Sequence, residues 1–366
     1  MKARSPYADL PGKAFWRTGV VDQSPLRPKD LYTRKFRIDK DARIVAAGSC
    51  FAQHISRHLK RNGFAVVDVE PAPEHLPAEL HHRYGYSMYS GRFGNIYTMR
   101  QLLQLAQEAF GTRAPGEVVW TKGGAYYDAL RPSVEPDGLA SAEEVLIHRK
   151  HHVRKVRDMF LNAEVMIFTL GLTEAWVHKD SGTVFPTVPG LIAGEFSSDA
   201  YEFRNFEFAE ILADFNAFRE LIRSSRPEPK PVNFLLTVSP VPLTATNSGD
   251  HVLSATTYSK SVLRSVAGQL AKNHADIDYF PSFEIINNCW SRGIFYENNM
   301  RSVAAEGVEV AMTTFLREHG VDVGAAPEAR AGAPQAPTAA ATEAISAAEQ
   351  SDDLVCEELL LEAFVK

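Results

Sequence analysis

Short, continuously apolar runs recur along the chain, and segments with helical periodicity separate them. The apolar runs span residues 43–47, 65–69, 165–170, 233–238 and 277–280. A strand covered on both faces of a parallel sheet is apolar throughout, whereas a half-exposed strand alternates apolar and polar residues. The helical segments begin after Cys50, at Ser141, and near residues 207, 255 and 304. This alternation predicts an α/β fold with an open parallel sheet, whose ligand crevice lies at the carboxyl ends of the strands.

Composition divides the chain into a body and a tail. Residues 1–324 are expected to form the folded body, in which residues 71–140, rich in Tyr, Gly, Pro and His, are interpreted as an insertion that covers the site. Twelve alanines and three prolines within residues 325–348 show no hydrophobic period, which predicts a flexible linker over residues 325–350.

The last segment, residues 351–366, is acidic. Apolar residues at 355, 359, 360 and 364 follow acids in a first turn, which is compatible with a short amphipathic helix that docks on a protein partner. The alternative is an unstructured tail that only increases solubility.

Charge and hydropathy exclude several function classes. Of the 45 acidic and 39 basic residues, 8 and 2 follow Gly324, so the body carries 37 of each. A body without basic excess is atypical of proteins that bind a phosphate backbone, and nucleic acid is not an expected partner. No stretch is long and apolar enough for a membrane span, and residues 1–20 lack the apolar core of a Sec signal, so the chain is interpreted as cytoplasmic. Cys50, Cys289 and Cys356 are too scattered for a disulfide framework or a thiolate zinc site, and no cofactor is expected.

The sharpest local motif is Gly48-Ser49-Cys50, which lies directly between the first apolar run and a helix. A serine at such a turn lies near helix N–H groups that can stabilise a developing oxyanion. Ser49 is therefore a candidate nucleophile, and the alternative is that it only caps the helix. Cys50 is interpreted as packing beneath the turn, because it points differently from Ser49.

At this point the chain resembles the GSCFA family, which looks like a branch of the SGNH (GDSL-like) hydrolase superfamily. Five stretches carry the resemblance in order, and together they cover about residues 40–320. These stretches are residues 48–52, 93–97, 169–176, 237–243 and 279–285. The resemblance implies a three-layer α/β/α sandwich with a central parallel sheet, with Ser49 as nucleophile and an ester-linked acyl group as substrate.

The same resemblance implies the oxyanion donors. Residues 171–174 occupy the place of the superfamily's Gly-x-Asn-Asp segment, so Thr173 replaces the asparagine and Glu174 the aspartate. A threonine hydroxyl can donate to the oxyanion, although it reaches less far than an amide. Asn95 is a second candidate donor, and its alternative role is a turn residue with an unusual backbone angle.

The catalytic base departs from the family pattern. Asn299 and Ser302 stand where the superfamily carries its Asp-x-x-His pair, and neither side chain accepts a proton at neutral pH. His251 follows the run at residues 233–238, so it is the preferred substitute base, oriented by Asp250 or Glu284. Its alternative role is substrate binding or capping of the next helix.

Other histidines of the chain are candidates for metal binding or for surface positions. His148, His151 and His152 have a spacing that allows a shared metal, but basic neighbours surround them, so no metal is expected and the group is interpreted as a basic, solvated helix face. His54 is interpreted as solvated.

Two hypotheses follow for function. The first is a serine esterase or O-acyltransferase acting on a small-molecule or carbohydrate acyl ester. The second is a catalytically degenerate SGNH-like binding protein that lacks the Asp-x-x-His pair.

Overall fold

The computed structural model describes residues 5–227, 230–321 and 357–365. Short 3-10 helices span Gly12–Ala14, Ala78–Leu80 and Glu357–Phe364, and a π-helix spans Arg17–Val21. The other elements follow in the order β1 (Ile44–Gly48), α1 (Phe51–Arg61), α2 (Met99–Ala109), β2 (Val119–Lys122), β3 (Ala125–Asp128), α3 (Ala142–Asn162), β4 (Val165–Leu170), β5 (Glu174–His178), β6 (Val184–Phe185), β7 (Tyr201–Asn205), α4 (Phe208–Ser224), β8 (Asn233–Val238), α5 (Val252–Asn273), β9 (Ile277–Tyr279), α6 (Ser282–Ile286) and α7 (Ala305–Glu318).

The central sheet is parallel and has the strand order β1-β4-β8-β9. Helices cover both of its faces. Successive side chains along β4 show this, because they pack alternately against the helices of one face and of the other. Val165 and Ile167 pack with α1, α6 and α7, whereas Met166, Phe168 and Leu170 pack with α2, α3, α4 and α5. The fold is therefore a three-layer α/β/α sandwich, as expected, and its continuously apolar strands are buried from both sides.

One predicted strand was wrong. Residues 65–69 do not form a strand, and only Val66 pairs with Ile44 of β1 through a single parallel bridge. Ser90 takes the next positions on that edge, since its N–H donates to the Ala46 carbonyl at 3.2 Å and its hydroxyl accepts from the Ala46 N–H at 2.9 Å. The run is apolar because it packs on the core, but the edge of β1 is already occupied.

The predicted insertion, residues 71–140, contains two different structures. Helix α2 packs against α3 and α4 within the main helix layer, so this part belongs to the sandwich. Strands β2 and β3 form a hairpin, whose Trp120 packs with Phe185 and Tyr201 of the antiparallel sheet β6-β5-β7. This second β structure stands beside the carboxyl end of β4, where the chain leaves the central sheet.

The tail is only partly as expected. The predicted linker, residues 325–350, and the start of the tail lie outside the described residues. Glu357–Phe364 is a 3-10 helix rather than an α-helix, and Leu360 and Phe364 are 48% and 70% exposed. Among the described residues of this set, the apolar side chains are exposed rather than docked, and the acidic Glu357, only 3% exposed, is buried instead. Within the described ranges, no helix combines the length and apolar character needed to cross a membrane.

Candidate active site

Ser49 lies at the turn between β1 and α1. Gly48 has φ +141, and a Cβ there would lie 2.6 Å from the Thr169 carbonyl oxygen of β4, so only glycine fits. Ser49 is 3% exposed, and its Oγ has no hydrogen-bond partner among the described residues. The N-cap of α1 is Cys50, without a side-chain cap bond, so the capping alternative for Ser49 was wrong. A buried hydroxyl without a partner is costly in a merely structural position.

Three chain segments meet at this turn. The Ile96 N–H donates to the Gly48 carbonyl at 2.9 Å, and the Gly171 N–H donates to the Tyr97 carbonyl at 3.1 Å. A Cβ at Gly171 would lie 2.9 Å from the Ser49 Cβ, so the loop after β4 lies directly against Ser49. The predicted motifs at residues 48–52, 93–97 and 169–176 are therefore neighbours in space.

The structure presents Asn95 as a hydrogen-bonding residue. The unusual backbone angle in this loop belongs to Gly94, with φ +68, and Asn95 has no positive φ, so its turn-residue alternative was wrong. Its Oδ1 accepts a hydrogen bond from the Tyr89 hydroxyl, and its Nδ2 donates to the Glu357 carboxylate at 2.5 Å. Its amide is buried and oriented.

Thr173 and Glu174 lie where the loop after β4 meets β5. Thr173 is fully buried, its N–H donates to Ser259 Oγ at 3.1 Å, and its own hydroxyl has no partner among the described residues. Glu174 begins β5 and accepts from the Thr246 hydroxyl at 2.8 Å, and burial raises the pKa of its carboxyl. The Ser49 N–H donates to the Thr169 carbonyl of β4 at 3.3 Å.

Among the described residues, no hydrogen bond joins His251, the predicted base, to either predicted orienting acid. His251 is the exposed N-cap of α5, where its Nδ1 accepts from the Leu253 N–H at 3.2 Å. Asp250 is exposed beside it. Glu284 lies on α6 and is bound to Arg264 and to the Tyr279 hydroxyl. His251 thus has the capping contact that was its alternative role.

The loop in which Asn299 and Ser302 replace the expected Asp-x-x-His pair is a hydrogen-bonded turn. Asn299 Nδ2 donates to Ser302 Oγ at 3.0 Å, and Asn299 Oδ1 accepts from the N–H groups of Arg301 and Ser302. The Arg301 guanidinium binds Glu358 at 3.1 Å. These contacts use both substituted residues to hold the loop itself.

The prediction for the histidines of α3 holds for two of them. His148 and His151 are exposed, as expected, whereas Arg149 and His152 are 5% and 1% exposed and point into the protein. His152 Nδ1 lies 2.8 Å from Glu70, and burial lowers the pKa of His152 to about 4. His54 is half-buried, so it is only partly solvated, and burial lowers its pKa to about 3. Among the residues that the structure describes, no three potential ligands cluster as a metal site would require.

A cavity of about 230 Å³ lies near the β1–α1 turn. Its lining is largely apolar and aromatic, with a few polar residues. Among its lining residues are Tyr97, Leu172, Glu174, Trp176, Phe203 and Leu361. Tyr97 and Leu172 also belong to the segments that meet at Ser49, so the cavity adjoins the candidate nucleophile.

A sequence model of the GSCFA family matches residues 43–315. The chain belongs to the GSCFA family. The match includes Ser49, Asn95, Thr173 and His251, and it ends before the tail.

Among solved structures, the chain is similar to "The crystal structure of carbohydrate acetylesterase family member from Sinorhizobium meliloti". The identity is 13%, the match covers 62% of this chain and 91% of that chain, and the TM-score is 0.24. No curated protein matches the chain.

Three residues that contact this GSCFA site were missed by the sequence analysis. Lys260 of α5 is 2% exposed, and its Nζ donates to the Gly171 carbonyl beside Ser49 at 2.6 Å. Ser133 and Glu357 contact each other and the Asn95 loop. A lysine within the apolar face of a predicted helix was a usable signal for Lys260, because buried lysines need a partner. The other two become neighbours only through tertiary folding.

A buried ion network supports the Asn95 loop. Asp128 accepts from Arg131 at 2.8 Å and from Arg149 at 3.0 Å, and Arg131 also donates to the Arg92 carbonyl at 3.1 Å. Burial alone would raise the pKa of Asp128, but Arg149 and Arg131 lower it to about 2. The charged carboxylate therefore stabilises the folded state at neutral pH.

We expect this network to make the protein sensitive to acid. A carboxyl whose pKa is lower in the folded state contributes stability above about pH 4, which is lost as pH falls towards 2. Protonation of Asp128 should then lower the free energy of unfolding by about 1.5–2 kcal/mol between pH 5 and pH 2.5. Urea unfolding at pH 5, 4, 3 and 2.5 measures this fall. The fall in the free energy of unfolding should be smaller in Asp128→Asn than in the wild type. In Asp137→Asn, whose side chain is 61% exposed, the fall should equal that of the wild type. Equal falls in both variants would contradict the assignment.

Proposed function

We propose that this GSCFA protein is a serine esterase or O-acyltransferase that acts on an ester-linked acyl group. One observation carries the proposal: the buried Ser49 hydroxyl has no partner among the described residues, at a strand-to-helix turn that only glycine at position 48 permits. Such an arrangement is unfavourable for stability and suits a nucleophile.

The proposed chemistry is a two-step acyl transfer. Ser49 Oγ attacks the acyl carbon and forms the ester of the acyl-enzyme, the bond from that carbon to the alcohol oxygen breaks, and the alcohol leaves with a proton. Water or a second hydroxyl then attacks the acyl carbon and releases Ser49. Asn95 Nδ2 and the Thr173 hydroxyl are the proposed donors to the oxyanion.

The proton acceptor in this scheme is His251, as the sequence predicts. To act, its imidazole must give up the Leu253 N–H that it accepts at the N-terminus of α5. Lys260 lies closer to the turn through the Gly171 carbonyl, and its ammonium would add positive charge beside the developing oxyanion.

The alcohol half is proposed to be a small molecule or a carbohydrate. The cavity of about 230 Å³ has a volume suited to one small ligand group. The rings of Trp176 and Phe203 are 5.9 Å apart and line its wall, and aromatic faces pack well on the apolar faces of sugars. Glu174 and Gln101 are polar residues of its lining that can form hydrogen bonds with hydroxyl groups.

A second candidate function is ligand binding without chemistry. The observation that favours it is the hydrogen bond between Asn299 and Ser302, which replaces the proton-relay pair of the superfamily with two groups that only stabilise a turn. In this case the cavity and Asn95 would bind an acylated ligand that is never cleaved.

Labelling with a fluorophosphonate tests the proposal, because such probes react with activated serines. We expect intact-mass analysis of the full chain to show one adduct, and peptide mapping to place it on Ser49. Heat-unfolded protein, in which the site is destroyed, is the control. Absence of an adduct from both the wild type and Glu357→Ala, in which the Asn95 amide is released from the tail carboxylate, would favour the binding protein.

A further inference from the structure

The Glu357 carboxylate is buried against the candidate active site. Its Oε2 accepts from Asn95 Nδ2 at 2.5 Å and from the Tyr97 hydroxyl at 2.8 Å, and its Oε1 accepts from Ser133 Oγ at 2.5 Å. We propose that Asn95, Tyr97 and Ser133 form a carboxylate-binding subsite beside Ser49, and that the tail occupies this subsite and blocks it. The blocking role rests on the proposed function, whereas the subsite does not.

The subsite supplies the hydrogen bonds that a buried carboxylate requires. Burying a carboxylate costs several kcal/mol unless donors replace the lost water, and here three donors serve its two oxygens. The orientation of the Asn95 amide is fixed in advance, since Gln53 donates to the Tyr89 hydroxyl at 3.1 Å and that hydroxyl donates to Asn95 Oδ1. With its Oδ1 engaged, the Asn95 amide can present only its NH₂ group to the ligand, which selects an acceptor.

The place of this carboxylate relates it to the reaction. Asn95 and Tyr97 flank Ile96, whose N–H is bonded to the Gly48 carbonyl next to Ser49. A carboxylate has the planar, two-oxygen shape of an ester acyl group, and it is the product of ester hydrolysis. The subsite would therefore take the carboxylate product or a ligand that bears a carboxylate, and Glu357 imitates it.

A second contact holds the tail against the adjoining cavity. Glu358 binds Arg301 at 3.1 Å, and Glu358 and Leu361 both line the cavity together with Tyr97. Adjacent glutamates thus anchor the segment at two separate contacts. The segment therefore takes part of the space that an acyl ester bound in this cavity would need.

The subsite is tested by melting full-length variants in 100 mM sodium acetate and in sodium chloride of equal ionic strength. In Glu357→Ala the three donors lose the tail carboxylate, and we expect acetate to raise Tm by about 2–4 °C relative to chloride. The wild type and Glu362→Ala, a matched change at an exposed glutamate of the same segment, should show no difference. Adding Ser133→Ala to Glu357→Ala should reduce the acetate effect. An equal response in all variants, or none in Glu357→Ala, would overturn the subsite.

The blocking role is tested by the rate of fluorophosphonate labelling. We expect Ser49 to react at least about tenfold faster in Glu357→Ala than in the wild type or Glu362→Ala, because the tail must leave before the probe enters. Equal rates would overturn the blocking role. If Ser49 reacts in none of these chains while acetate still stabilises Glu357→Ala, the proposed esterase function fails and the carboxylate subsite stands.

Discussion

Ser49→Ala is expected to abolish acyl-ester turnover, with kcat/KM lowered by at least about 10³-fold. The substitution removes the oxygen that forms the acyl-enzyme, and no neighbouring group replaces it. Stability should be unchanged or slightly higher, because a buried hydroxyl without a partner among the described residues is removed. Steady-state hydrolysis of an aryl acetate, together with thermal melting, measures both effects. Loss of activity without loss of stability is the mark of a functional residue.

Ser56→Ala is the matched control for this change. Ser56 lies on α1, is 1% exposed, and its Oγ likewise has no partner among the described residues. The same atom is deleted from an equally buried position that does not face the crevice end of β1. We expect turnover to be retained in Ser56→Ala. Full turnover in Ser49→Ala, or equal losses in the two variants, would refute the nucleophile.

The central layers could be predicted because their signal is local. The apolar runs at residues 165–170 and 233–238 coincide with β4 and β8, since each run is long enough to fill a strand that helices cover on both faces. The run at residues 65–69 is also largely apolar, but it meets an edge that Ser90 already occupies. Competition between segments for one edge is a tertiary effect, and no local pattern reports it.

The candidate site likewise contains residues that the sequence indicates and residues that only tertiary folding brings there. Ser49 could be anticipated from its place after a strand, at the carboxyl edge of the sheet, whereas Asn95 and Thr173 were expected only from the resemblance to the GSCFA family. The contact of Glu357 with Asn95 joins residues separated by 262 positions, and an acid in a charged tail carries no sign of burial. His251 illustrates the opposite case, because its place in the chain suggested a base while its cap contact depends on the start of α5.

Gly48→Ala is expected to destabilise the protein by about 2–6 kcal/mol. Its φ of +141 lies in a region that L-residues rarely adopt, which costs about 1–3 kcal/mol. The added Cβ would also lie 2.6 Å from the Thr169 carbonyl oxygen and 2.8 Å from the Thr169 nitrogen, and forcing backbone apart in a packed core costs about 1–3 kcal/mol more. Urea unfolding measures the sum, and any folded fraction should be inactive because Ser49 is displaced.

Gly63→Ala separates the two causes of this effect. Gly63 follows α1 with φ +78, and a Cβ there meets nothing within 4 Å, so this variant bears the backbone penalty without the collision. It should cost about 1–2 kcal/mol and leave turnover unchanged. A Gly48→Ala chain that is no less stable than Gly63→Ala would show that β4 can move away from β1. Ser49 would then be held by something other than this close approach, and the geometric argument for its role would fail even if the serine were reactive.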